Sequence, residues 1–151
     1  MAIWHRVGTW LTTAVVMTGG ALLAGAGTSS AADQFTYKVF DDGKSFGVAV
    51  YNNGHYAGLA SWNADPIGDI PGDALQAVDS YADGWGIQAE MWTPWESDLN
   101  YRVTTTKGHS APYSTPWKSG NLKEGVDVHI QVCIFQGNDY SNCGGSTAGK
   151  A

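Results

Sequence analysis

Seven residues near the C-terminus constrain this chain more than any others. Val128, Ile130, Val132 and Ile134 alternate with His129, Gln131 and Cys133. Apolar residues at every second position put one face of a strand on a core and the other outside. The next turn signal is Gly137-Asn138-Asp139, a tip suited to a hairpin. If the chain folds back there, Gln136 faces Tyr140 and Cys133 falls opposite Cys143. The chain has two cysteines, so one disulfide, Cys133–Cys143, is expected. Closing so short a loop stabilises a fold by somewhat under about 3 kcal/mol.

The N-terminus says where such a bond forms. His5 and Arg6 precede a long uncharged stretch with its apolar centre at Leu11, Ala14, Val15, Val16, Met17, Leu22 and Leu23. Thr28-Ser29-Ser30-Ala31-Ala32 ends it with small residues. Charged, apolar, small is the order of a secretory signal peptide. Residues 1–32 are therefore read as a cleavable tag, cut before Ala32 or before Asp33. A membrane anchor fits less well, because Gly19-Gly20 and threonines interrupt the stretch and no basic cluster follows. The remaining chain is expected to be secreted and extracellular, where disulfides persist.

Residues 33–151 are enough for one domain with a single core. Without Arg6, seven basic side chains stand against fourteen acidic ones, a net charge of −7. That excludes nucleic acid and, once the tag is gone, an anionic membrane as partners, since both select positive charge. All seven tyrosines and five of the seven tryptophans lie in this part, and long helix-forming runs are missing.

Strand and turn signals alternate along it. Phe35, Tyr37 and Val39 precede a turn at Asp41-Asp42-Gly43-Lys44, and Phe46, Val48 and Val50 follow. Asn52-Asn53-Gly54 is a strong hairpin signal before a run from His55 to Trp62. Asn63 to Asp73, with two prolines, reads as a long loop. The segment from Asp73 to Asp79 reads as a strand in preference to a short capped helix. Trp85 to Trp92 and Tyr101 to Thr105 read as further strands, and Tyr140 to Cys143 pairs back onto the C-terminal run. Seven or eight short strands with frequent turns predict an all-β, antiparallel β-sandwich, immunoglobulin-like or similar.

Several chemical motifs dissolve on inspection. Gly43-Lys44-Ser45-Phe46-Gly47 matches a serine-hydrolase pattern, but it leads from a turn into a strand, so it reads as hairpin glycines. Asp79 to Glu90 partly matches a calcium loop, with Asp79, Asp83, Gly84 and Glu90 in the right places. Tyr81 and Gly86 occupy positions that the loop needs for a ligand and an aliphatic side chain, so no metal is expected. His55, His109 and His129 lack ligand spacing. Ser45 or Ser110 with His109 and an Asp carries no local triad motif. Glu90, Glu96 and Asp98 read as surface carboxylates rather than a glycosidase pair. No cofactor is implied.

One repetition stands out. Thr93-Pro94-Trp95-Glu96-Ser97 and Thr115-Pro116-Trp117-Lys118-Ser119 are near copies in predicted loops. A loop Trp either packs on the core or meets a partner. As ligand residues the candidates are Trp95, Trp117, Trp62 and Tyr113, with Trp92 nearby in sequence.

Two phrases carry a resemblance. They are Asp79-Ser80-Tyr81-Ala82-Asp83-Gly84-Trp85-Gly86-Ile87, and Leu122-Lys123-Glu124-Gly125-Val126-Asp127-Val128-His129-Ile130-Gln131-Val132-Cys133 with a second Cys beyond. With the export tag, the chain resembles the small secreted β-domain proteins of actinobacteria such as Streptomyces. The resemblance implies a compact secreted β-domain with a C-terminal disulfide, and it brings no activity or site residues. The expected role is non-enzymatic: a binding module for a glycan or an extracellular protein. The alternatives are a secreted inhibitor or toxin-like effector presenting the hairpin from Gln136 to Tyr140, and a small hydrolase.

Overall fold

The computed structural model describes residues 32–94 and 100–151. The export-tag reading up to Ala31 lies outside the described residues, as do Trp95, Glu96 and Asp98. Every regular element among the described residues is a strand. They are β1 (Phe35–Asp41), β2 (Ser45–Asn52), β3 (His55–Asn63), β4 (Ala74–Asp79), β5 (Gly86–Trp92), β6 (Tyr101–Thr105), β7 (Tyr113–Ser114), β8 (Lys118–Ser119), β9 (Asp127–Gln136) and β10 (Asp139–Lys150). One sheet runs β1-β2-β3-β4-β7, with β8 also on β4, and the other runs β10-β9-β5-β6. All pairings are antiparallel.

The sheets pack face to face as a β-sandwich. Period-two patterning explains the core. Phe46, Val48 and Val50 of β2 meet Ile87, Ala89 and Met91 of β5 and Val128, Ile130, Val132 and Ile134 of β9, all buried in one cluster. Burial of this apolar area, at about 25 cal/mol per Å², is the main stabilising term. The first sheet is a meander of consecutive strands, where the immunoglobulin order would be A-B-E-D.

Turn chemistry sets the hairpins. Asn53 and Gly54 have φ of 49° and 83°, the two left-handed residues that a two-residue hairpin needs, and Asn52 pairs with His55. Asp73 to Asp79 contains a strand, β4, as the sequence reading preferred. Ser45 opens β2 after a turn, so the Gly-x-Ser-x-Gly letters belong to a hairpin. Its Oγ donates to Asn63 Oδ1 at 3.1 Å.

Three details differ from expectation. The described residues form ten strands, because β7 and β8 are only two residues each and carry no readable alternation. The last strand runs to Lys150 rather than ending at Cys143. The hairpin tip has two residues, Gly137 and Asn138, so Gln136 pairs with Asp139 and not with Tyr140. A register shift between Ser141 and Cys143 then returns Cys143 to a place opposite Cys133. The disulfide Cys133–Cys143 is present, with the Cα atoms 3.9 Å apart.

Candidate functional site

Ile87, Ala89 and Met91 of β5 face the core, so Gln88, Glu90 and Trp92 face outward. The same alternation turns His129 and Gln131 of β9 outward, and Tyr101, Val103 and Thr105 of β6. Register then aligns them. Tyr101 pairs with Trp92 and Trp92 with His129, while Val103 pairs with Glu90 and Glu90 with Gln131. One sheet face thus carries an aromatic row beside a polar row.

The aromatic row is half-exposed to exposed. The Trp92 indole stacks on the His129 imidazole, with centroids 5.5 Å apart and planes inclined by 23°. Tyr101 is 54% exposed. Partial desolvation, with the Glu90 charge beside it, raises the Tyr101 phenol above its ordinary pKa. The row spans two strand spacings, about 9.6 Å between outer backbones.

The polar row is organised by Glu90. Gln88 Nε2 donates to Glu90 Oε1 at 2.7 Å, and Gln131 Nε2 donates to Glu90 Oε2 at 2.8 Å. Each amide spends one donor there and keeps its carbonyl oxygen, and a carboxylate retains further acceptor capacity. The arrangement leaves room for a flat ring over Trp92 and Tyr101, with fixed acceptors and donors alongside.

The residues singled out from sequence fall elsewhere. Trp62 is fully buried in the core under Arg102, whose guanidinium lies 5.4 Å from the ring centroid, so it offers no face to a ligand. The cause is a bulge in β3. Tyr51 pairs with Tyr56 but Val50 pairs with Gly58, leaving Ala57 as an extra residue. On an unbroken strand Tyr56 and Trp62 would share the outer face, and the bulge turns Trp62 inward. Tyr113 lies in β7, opposite Asp79, with its ring stacked on His109 at 3.8 Å. Trp117, half-buried, precedes Lys118, which pairs with Leu75 at the other end of β4. Leu75 and Asp79 are four strand steps apart, about 13 Å, so Tyr113 and Trp117 lie at opposite ends of β4 and do not form one platform. Trp95 lies outside the described residues, in the β5–β6 connection.

The other motifs are also placed. Asp79 ends β4 in the first sheet, whereas Glu90 is held by two amides in the second. Among the described residues no three or more His, Cys, Asp or Glu converge as metal ligands. Ser110 and His109 line a cleft with Asp79, and no hydrogen bond joins the His109 ring to either.

Comparison with family models, with curated proteins and with solved structures finds no match to this chain. Tyr101 and His129, and the amides around Glu90, escaped the sequence reading. The signal was the outward half of each strand pattern, but its use required the register that joins three strands.

Proposed function

We propose that this chain is an exported, non-enzymatic module that binds a glycan on the outward face of its four-stranded sheet. The observation that carries the reading is the row Tyr101–Trp92–His129 in register beside Glu90 and Gln131. A pyranose ring has an apolar C–H face and a rim of hydroxyls. It needs a flat aromatic under the first and charge-assisted hydrogen bonds to the second. Trp92 and Tyr101 supply the ring contact, and Glu90, Gln88 and Gln131 supply the polar one. The width of the row suits a disaccharide repeat.

A protein ligand fits this face less well. Protein interfaces are depleted of charge at their centre, and Glu90 occupies the centre here. The Cys133–Cys143 bond supports an oxidising destination.

The test is retention of the protein on insoluble cellulose, chitin and xylan, followed by a glycan array. Retention on one polysaccharide that is eluted by its own oligosaccharide supports the reading. Absence of retention on every polysaccharide and array feature sinks it.

A further inference from the structure

Three connections meet at one end of the sandwich. They are the β4–β5 segment 80–85, the β6–β7 segment 106–112 and the tip Gly137-Asn138. Between them lies a cleft of about 530 Å³, within the range of about 300–1,000 Å³ typical of small-molecule sites. It is distinct from the aromatic row, and none of the residues assigned there to sugar binding lines it.

Its lining combines a sunken carboxylate with aromatic rings. Asp79 is only 4% exposed. Its Oδ1 accepts the Tyr81 backbone N–H at 3.3 Å, and among the described residues no cation pairs with it. Tyr81, Trp85, Phe135 and His109 line the same cleft. These rings are braced in place. Tyr81 stacks on His55 at 5.4 Å, and His109 stacks on Tyr113. The Trp85 indole N–H donates to Asp33 Oδ2 at 2.8 Å, and its ring meets Phe35 edge-on.

The neighbouring charges are already engaged. Asp83 accepts from Asn52 Nδ2 at 2.8 Å and from the Trp85 backbone N–H at 3.0 Å. Lys107, also in the lining, has its ammonium 5.9 Å from the Tyr140 ring centroid. An ionised carboxylate among rings with no counter-ion is costly. A ligand ammonium relieves that cost and gains the attraction of the ring faces.

We infer that this cleft binds a small organic cation, an alkylammonium or quaternary ammonium group, with Asp79 as its counter-ion and Tyr81 and Trp85 as its aromatic walls. The inference is independent of the glycan reading, since the two sites share no residue.

The experiment titrates the purified protein at pH 7.5 with choline, with n-butylammonium and with 3,3-dimethyl-1-butanol, the uncharged isostere of choline. Calorimetry and tryptophan fluorescence provide the readouts. The expected result is saturable one-to-one binding of a cation, with the alcohol and Asp79→Asn each weaker by at least about tenfold. Tyr81→Ala should weaken it as well, and Trp92→Ala should leave it unchanged. Near-UV circular dichroism verifies that each variant is folded. Failure of both cations to bind overturns the inference, as does equal binding of the alcohol or equal binding by Asp79→Asn.

Discussion

Trp92 and His129 lie on neighbouring strands with their rings stacked, 5.5 Å between centroids, on the outer face of the sheet that also carries the disulfide. Stacking of this kind holds the indole in one orientation before any ligand arrives. A rigid aromatic loses little entropy on binding. His129→Ala should therefore weaken glycan binding through loss of the brace, by about threefold to tenfold, or about 0.7–1.4 kcal/mol. His129→Phe, which restores a stacking ring, should recover most of it. Titration calorimetry of the two variants distinguishes a brace from a direct hydrogen-bonding role, which Phe would not rescue.

Glu90 is the second element of the face. Glu90→Gln keeps the shape but removes the charge that two amide donors converge on. Charge-assisted hydrogen bonds contribute about twice as much as neutral ones. Binding should fall by about tenfold, while the urea midpoint changes little because the site is on the surface. A variant with unaltered affinity would assign the polar row to structure alone.

The Cys133–Cys143 bond closes a short loop across the β9–β10 hairpin. Replacing both cysteines by Ala should cost about 2–3 kcal/mol, read as a lower urea midpoint at unchanged slope. β10 should be the first element to lose amide protection in hydrogen exchange, since the bond joins it to β9.

Asp79 gives stability a pH signature. Burial lifts its carboxyl from 3.8 to about 6; the Asp83 charge adds to this and the Tyr81 N–H opposes it. The folded chain then holds this proton more tightly than the unfolded chain does. Stability from this group is present at acid pH and is lost as pH rises from about 4 to about 6. Asp33 and Asp42 are shifted down, by hydrogen bonds from Asn52 and Trp85 and from the Ser45 and Lys44 backbone respectively, and act in the opposite sense at lower pH. His55, His109 and Lys107 lie around the same end and are common to both proteins compared. Asp79→Asn should match the parent near pH 4 and exceed it in melting temperature at pH 7.5. Parallel curves at both pH values would contradict the assignment.

Much of this architecture is legible in the letters. The alternations at Phe46–Val50 and Val128–Ile134 named core strands, Asn53-Gly54 named a hairpin, and the two cysteines named a bond. The strand β10 was not legible beyond Cys143, because Gly144, Gly145 and Gly149 break any β pattern. Those glycines are required by close neighbours: a Cβ at Gly144 would lie 2.4 Å from the Tyr37 ring, one at Gly149 2.4 Å from the Phe46 ring, and one at Gly145 2.6 Å from Val48 Cγ1. The site was half legible. Trp92 was visible as an aromatic at the end of a strand, but its direction and its neighbours were not, since Tyr101 and His129 come from strands 9 and 37 positions away in sequence. Trp62 misled because one extra residue, Ala57, reverses the phase of its strand.

Fluorescence titration of Trp92→Ala beside the parent protein, against the oligosaccharide that elutes the parent from its polysaccharide, tests the central claim most directly. The account predicts that the parent saturates and that Trp92→Ala, still folded, loses affinity by at least about thirtyfold, or about 2 kcal/mol. Equal affinity in the two proteins would place the sugar elsewhere and contradict the account.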